Sequence, residues 1–103
     1  MECARWDDLP SSRAQIVVNG TSVGMAPKDA GSPVDAALFK KDMVVMDTVY
    51  TPRNTRFLRD ARAAGAETVD GVEMFLRQAN HQFKTWTGRA IPTEVLKEYA
   101  KKL

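Results

Sequence analysis

The sequence has very little cysteine, since Cys3 is its only one. A single thiol can form neither an internal disulfide nor a cysteine-rich zinc site, so an apolar core must hold the fold together. This cysteine usage predicts a reducing compartment, namely the cytoplasm, or the plastid stroma in a plant. The first six residues also lack the apolar segment of a signal peptide, which argues against secretion.

Long apolar runs and blocks of like charge are missing as well. No run approaches the roughly 20 residues that span a membrane, so a membrane protein is not expected. The 15 basic and 13 acidic residues are interspersed, and their net charge of +2 offers no basic patch for nucleic acid. With 44% apolar and 27% charged residues over 103 positions, the composition predicts one soluble globular domain.

Apolar residues recur in two different patterns along the chain. Runs that are short and mostly apolar predict strands near 14–19, 43–50 and 67–69. Apolar residues at helical spacing predict helices near 55–64, 72–87 and 93–103. Alternating strands and helices indicate an α/β fold with a short parallel sheet. The run at 43–46 is apolar on both faces, which predicts helices on both sides of that strand.

Glycine and proline mark the ends of these elements. Gly65 and Gly88 are placed to stop two of the helices. A loop rich in both residue types separates the first two strands and is expected to contain one helical turn. Its predicted capping residue is Ser32, with Pro33 at the first helical position.

Ligands of open parallel sheets bind outside the carboxyl ends of the strands. In this sequence those ends are the segments 19–25, 47–50 and 70–71. Gly24 and Gly71 could let backbone approach a ligand closely because glycine has no Cβ, although ordinary turn glycines explain the spacing equally well. The G-x-G-x-x-G fingerprint of a pyrophosphate loop does not occur in the sequence.

Four residues share one side of the longest predicted helix, because they lie four, three and four positions apart: Gly71, Phe75, Gln78 and Gln82. Gly71 and Gln78 are separated by about 10 Å of helix. This spacing could place a flat cofactor ring at the helix start and a small polyol further along, where amide groups would contact its hydroxyls. Two solvated glutamines are the simpler alternative.

The other polar residues give weaker indications of a functional site. Tyr50 could aim its phenol into the crevice from a strand end, or it could be a half-buried packing residue. His81 has no cysteine or carboxylate at metal-ligand spacing and is expected to be an exposed helix residue. Arginines repeat every three residues over 53–62, which is more typical of a solvated helix face than of a phosphate site. Neither a serine nucleophile nor a pair of catalytic carboxylates is recognisable.

Three segments resemble the motifs of shikimate dehydrogenases. Residues 19–25, NGTSVGM, resemble their N-x-T-S-x-G-M segment. Residues 47–55, DTVYTPRNT, are similar to D-x-x-Y-x-P-x-x-T, and residues 70–79, DGVEMFLRQA, resemble D-G-x-x-M-x-x-x-Q-A. The resemblance runs from about Ala14 to the end of the chain. Within these motifs, the residues VYTPR and EMFLRQ are most similar to those of the bifunctional dehydroquinate dehydratase–shikimate dehydrogenase proteins.

The resemblance implies that residues 1–103 are the second half of a Rossmann-like NADP-binding domain. It implies the reversible, NADP-dependent reduction of 3-dehydroshikimate to shikimate. Tyr50 and Gln78 would contact the substrate, with Gln82 as a helper. The implied cofactor contacts, made largely through backbone atoms, are Asn19, Thr21, Thr48 and Gly71. Thr48 stands where the family often has methionine or alanine, so its contact departs from the pattern.

Essential parts of the family's machinery have no counterpart in this sequence. They are the catalytic lysine and aspartate, the glycine-rich loop and the arginine for the adenosine phosphate. We therefore expect part of a longer polypeptide, inactive alone, whose partners are an N-terminal catalytic domain and, in a bifunctional protein, a fused dehydroquinate dehydratase. Two alternatives stay open: a quinate/shikimate dehydrogenase that uses NAD, and a non-catalytic binding or assembly module with the same fold.

A Rossmann sheet cut in half leaves an unpaired edge near residues 14–19 and removes cover from the helices. The side chains expected to lose partners are Phe75, Phe83, Trp86, Val95, Leu96, Tyr99 and Leu103. Leaving several of them in water forgoes about 1.5–3 kcal/mol each. We therefore expect the isolated chain to form a homodimer or a higher homo-oligomer.

Overall fold

The fold is built from three short strands and three α-helices. A computed structural model describes residues 3–11 and 13–103. The strands are β1 (Ile16–Asn19), β2 (Val44–Asp47) and β3 (Glu67–Val69). The α-helices are α1 (Arg56–Ala63), α2 (Gly71–Thr87) and α3 (Thr93–Lys102), and two 3-10 helices span Trp6–Ser11 and Ala36–Leu38. None of the helices in the described ranges is long and apolar enough to cross a membrane.

The strands form one parallel sheet in the order β1-β2-β3, as the alternating pattern predicts. Its register sets Asn19 of β1 directly beside Asp47 of β2. Both residues are the last of their strands. Two polar side chains therefore meet at the carboxyl edge of the sheet, where ligands of this fold class bind.

Helix α1 covers one face of the sheet and contributes three residues to the core, Phe57, Leu58 and Ala61. Thr55 caps the helix, because its hydroxyl oxygen accepts a hydrogen bond from Leu58 N–H. Phe57 and Leu58 are almost completely buried and pack in one cluster with Val45 of β2. The ring of Phe39 meets that of Phe57 edge to face, with the ring centroids 5.2 Å apart.

The opposite face of the sheet has much less cover. Ile16 and Val18 of β1 are 68% and 51% exposed, and Val44 and Met46 of β2 are only half-buried. The prediction of helices on both sides of the middle strand is therefore wrong for this chain. A strand with apolar residues on both faces needs an element packed against each of them. Among the described residues, only one face of β2 is closely packed against a helix.

Two predictions about the loops also need correction. Asp35, not Ser32, caps the short turn: its carboxylate accepts a hydrogen bond from Ala37 N–H, while the Ser32 hydroxyl donates to Val34 O. The turn begins at Ala36, so Pro33 precedes it. The 3-10 helix at Trp6–Ser11 matches no element that the sequence patterns predicted. The predicted stops Gly65 and Gly88 are confirmed by positive φ angles of 86° and 73°.

Candidate functional site

A cleft of about 290 Å³ lies at the carboxyl edge of β1 and β2. It is lined by two loop segments that follow these strands: Thr21, Ser22 and Met25 on one side, and Thr48, Val49, Tyr50 and Thr51 on the other. The two segments are tied together where Ala26 N–H donates to Thr51 O at 2.9 Å. The structure thus brings Thr21, Thr48 and Tyr50, three of the predicted site residues, to one cleft.

Asn19 organises the first wall of this cleft. Its side chain is 3% exposed, and its amide nitrogen donates to Asp47 Oδ1 and to Val23 O, both at 3.1 Å. Its Oδ1 accepts from Thr21 N–H at 3.0 Å and from the Thr21 hydroxyl at 2.7 Å. Both amide donors and the carbonyl oxygen are therefore used within the protein.

Asp47 organises the second wall from a completely buried position. Its Oδ1 accepts from Asn19 Nδ2 and from Val49 N–H, and its Oδ2 accepts from the Thr55 hydroxyl at 2.7 Å. Buried carboxylates are costly without such partners. The carboxylate thereby joins the end of β1, the start of the loop after β2 and the first turn of α1.

Neither Asp47 nor Thr55 was singled out as functional from the sequence. One signal was available: an aspartate that closes an apolar parallel strand must find partners, and a threonine eight residues later opens the next helix. Their partners could not be read from the sequence, because they depend on the register between strands.

The hydroxyl groups of Thr21 and Thr48, two of the three threonines that line the cleft, are already engaged in hydrogen bonds. Thr21 donates to Asn19 and accepts from Val23 N–H at 3.2 Å. Thr48 directs both its N–H and its hydroxyl to Asn19 O, at 3.1 and 2.8 Å. Thr48 thus stabilises the strand end through an additional side-chain hydrogen bond that a methionine or alanine could not make. The roles predicted for these threonines and for Asn19 in cofactor binding stay predictions.

Gly71 lies where α2 approaches the end of β2 most closely. A Cβ at this residue would come within 2.5 Å of Val49 O and 2.8 Å of Thr48 O, both of them backbone atoms. The glycine therefore allows the helix start to touch the cleft wall. Asp70 caps the helix by accepting from Glu73 N–H and forms a 3.0 Å ion pair with Arg53.

Tyr50 contacts α2 through Phe75, and both glutamines lie further along that helix. The ring centroids of Tyr50 and Phe75 are 5.4 Å apart, with a tilt of 37° between the planes. Gln78 and Gln82 are exposed on the same helix and do not line the cleft itself. The structure thus connects the predicted substrate residues through α2 without bringing them into direct contact.

The remaining polar residues have ordinary surroundings. His81 is exposed on α2, as expected. The four arginines of 53–62 are exposed and bind other groups of the protein. Arg53 binds Asp70, and Arg56 binds Asp60 and Ala30 O. Arg59 binds Asn54 O, and Arg62 binds the side chains of Thr68 and Asn54. This supports a solvated, internally paired helix face. Across residues 3–11 and 13–103 there is no group of acidic, histidine or cysteine side chains that could hold a metal ion.

Comparison with sequence families agrees with this geometry. A model described as the Shikimate 5'-dehydrogenase C-terminal domain matches residues 71–98. The shikimate dehydrogenase (NADP(+)) of Pelobacter propionicus is 48% identical over 89 residues, which cover 84% of this chain and 32% of the relative. The chloroplastic bifunctional 3-dehydroquinate dehydratase/shikimate dehydrogenase of Arabidopsis thaliana is 43% identical over 89 residues, 86% of this chain and 15% of that protein.

Solved structures agree as well. The shikimate 5-dehydrogenase of Thermus thermophilus, in complex with NADP(H) and shikimate, matches with a TM-score of 0.81 and 33% identity over 96% of this chain and 37% of its own. The quinate dehydrogenase of Corynebacterium glutamicum, in complex with NAD, matches with a TM-score of 0.78 and 38% identity over 88% and 32% of the two chains. The chain spans about a third of the length of these single-function proteins.

Proposed function

We propose that this chain belongs to the shikimate dehydrogenase family and forms the C-terminal part of an enzyme that reversibly reduces 3-dehydroshikimate to shikimate with NADP. The observation that supports this proposal most strongly is the cleft at the carboxyl ends of β1 and β2. Crevices at such positions bind dinucleotides and their substrates in related folds. When bound, NADP supplies or accepts the hydride.

The residues present suit the nicotinamide end of the cofactor. The cleft volume of about 290 Å³ can take a nicotinamide ring but not a whole dinucleotide, and its lining contains no lysine or arginine for phosphate groups. Thr21, Thr48 and Gly71 would border the ring largely through backbone atoms, while Asn19 holds those atoms in place. The pyrophosphate and adenosine contacts would come from another part of a longer polypeptide.

The substrate would lie beside the Tyr50 phenol and the exposed Gln78 amide of α2. The phenol of Tyr50 can donate or accept a hydrogen bond, and the amide of Gln78 can do both at once. These groups match a polyhydroxylated acid, with Gln82 one turn further along as a helper. In this arrangement the chain binds and orients the substrate, and proton transfer would fall to residues outside it.

A chimaera tests this proposal directly. The matching segment of the P. propionicus enzyme is replaced by this chain, and shikimate oxidation is followed by NADPH absorbance. We expect turnover by the chimaera and none by the 103-residue chain alone. Turnover by the chain alone would refute the assignment of proton transfer to residues outside this chain. A folded chimaera that binds neither NADP nor shikimate would instead favour a non-catalytic module.

The same chimaera decides between cofactors and between substrates. The solved quinate dehydrogenase contains NAD, so use of NAD and quinate is the second candidate. Comparison of kcat/KM for the four pairs of cofactor and substrate would identify the preferred pair. We also propose a location in the cytoplasm or the plastid stroma, and fusion to a dehydroquinate dehydratase in a bifunctional protein. The stroma and the fusion are suggested by the chloroplastic, bifunctional Arabidopsis relative.

Substitution of Gln78 should separate substrate binding from cofactor binding. We expect Gln78→Ala in the chimaera to raise KM for shikimate about 5- to 150-fold, because lost polar contacts cost about 1–3 kcal/mol. KM for NADP should change little. Lys84→Ala, on an exposed part of the same helix, is the matched control. Equal losses for both ligands would contradict the assignment of Gln78 to the substrate.

Self-association of the isolated chain is a separate expectation. Six of the seven apolar side chains predicted to lose partners are at least 38% exposed, namely Phe75, Phe83, Trp86, Val95, Tyr99 and Leu103. With the exposed Ile16 and Val18 of edge strand β1, they leave much apolar surface in water. We expect light scattering at micromolar concentration to show a dimer or a larger species. A stable, cooperatively folding monomer would contradict this.

A further inference from the structure

The ring of Tyr50 rests against that of Phe75, a residue to which the motifs assign no role. The two centroids are 5.4 Å apart, and each residue is 39% exposed. Tyr50 lies in the loop after β2, whereas Phe75 lies in the second turn of α2. The contact therefore joins the cleft wall to the helix that contains Gln78.

Tyr50 needs such a support to keep its phenol in one place. The preceding residue, Val49, is buried, but Tyr50 itself has left the strand and is partly in water. A half-exposed aromatic side chain with no neighbour on its face can change rotamer, and binding must then restrict that freedom. An aromatic partner at this distance and tilt lowers that cost.

Phe75 is itself well anchored. It lies one turn after Gly71, whose close approach to Val49 O sets the helix start against the strand end. Its ring also lines an apolar groove between α2 and α3 with Leu76, Val95 and Tyr99. Gln78 follows three residues later on the same side of the helix. Phe75 is thus the only ring in contact with Tyr50 among the described residues, and it lies three residues before Gln78 on the same helix.

We propose that Phe75 is a positioning residue that holds the Tyr50 phenol at the separation from Gln78 at which both can bind one polyhydroxylated acid. This inference rests on the proposed function and deepens it. Phe75 is not assigned a contact with the reacting atoms. It acts through Tyr50, so it affects the binding of the acid and not that of the cofactor.

The first experiment examines the contact without any ligand. NMR spectra of the ligand-free chimaera with labelled tyrosine rings report on the ring of Tyr50, which Tyr50→Phe assigns. In Phe75→Leu the Tyr50 ring signals should shift and narrow as the ring gains motion, and in Phe75→Tyr they should stay close to those of the parent chimaera. Phe83→Leu is the matched control, since Phe83 lies on the same helix and is 40% exposed. Unchanged Tyr50 signals in Phe75→Leu would overturn the inference on their own.

The second experiment measures the consequence in the chimaera. Phe75→Leu should raise KM for shikimate about 2- to 12-fold, the range expected for loss of an aromatic pair, with KM for NADP and the fraction of folded protein unchanged. Phe75→Tyr should restore the parent KM, and Phe83→Leu should leave it unaltered. Equal effects of the leucine substitutions at Phe75 and Phe83 would overturn the inference. A parent chimaera without turnover would count against the proposed function, while the NMR spectra would still decide whether Phe75 positions Tyr50.

Discussion

Replacing Asp47 with leucine is expected to lower the free energy of unfolding by about 3 kcal/mol or more. The substitution removes a completely buried carboxylate and leaves three donors without it: Asn19 Nδ2, Val49 N–H and the Thr55 hydroxyl. Each buried donor left unsatisfied costs about 1–3 kcal/mol. Small domains have a total stability of only about 5–15 kcal/mol, so this loss is a large fraction of the stability of the chain. Urea unfolding followed by circular dichroism measures the change.

Two variants serve as controls for this loss. Asp47→Asn keeps an acceptor toward Asn19 and Val49, and its amide can donate to Thr55 Oγ1, so we expect a cost of about 1 kcal/mol. Asp42→Asn removes a charge from an exposed residue just before β2 and should change stability by no more than about 0.5 kcal/mol. If Asp47→Leu were as stable as Asp42→Asn, the network between the two strand ends would not stabilise the fold.

Replacing Gly71 with alanine is expected to destabilise the chain by about 1–3 kcal/mol and to displace the start of α2. The added Cβ would lie 2.5 Å from Val49 O and 2.7 Å from Val49 C, and these backbone atoms cannot rotate away. Relief requires the helix to move from the strand end, which would also separate Phe75 from Tyr50. Unfolding experiments and the Tyr50 ring signals would detect the two effects.

Gly20→Ala is the matched control for Gly71→Ala. A Cβ at Gly20 would meet no atom within 4 Å, so Gly20→Ala should change stability by no more than about 0.5 kcal/mol. The two variants add the same methyl group at the same edge of the sheet. Equal stabilities for them would contradict the close approach between α2 and the loop after β2.

The sequence predicted elements well where local preferences decide them. β3 was predicted at 67–69 and lies there, and α2 was predicted at 72–87 and begins one residue earlier, after its Asp70 cap. β2 was predicted to reach Tyr50 but ends at Asp47, because the Asp47 carboxylate binds Val49 N–H. That hydrogen bond takes the chain out of the sheet, and no apolar pattern indicates it.

The motifs select residues that the structure also brings together, but they do not indicate what each side chain does. Thr21, Thr48 and Tyr50 line one cleft, as segments at neighbouring strand ends should. The side chain of Asn19, by contrast, points into the protein and holds the loop that carries Thr21. Residues in a motif can serve the site by shaping it, and motif matching alone does not separate this role from ligand contact.

The sequence by itself determined the order of the elements, the stops at Gly65 and Gly88 and the parallel arrangement, because helix periodicity, caps and chain connectivity act over a few residues. Only the tertiary structure decided that Asn19 meets Asp47 across 28 residues and that Phe75 supports Tyr50. Such pairs depend on strand register and on how closely a helix approaches the sheet. Both are set by packing of the whole core around α1, where a shift of one residue in β1 would move Asn19 to the other face.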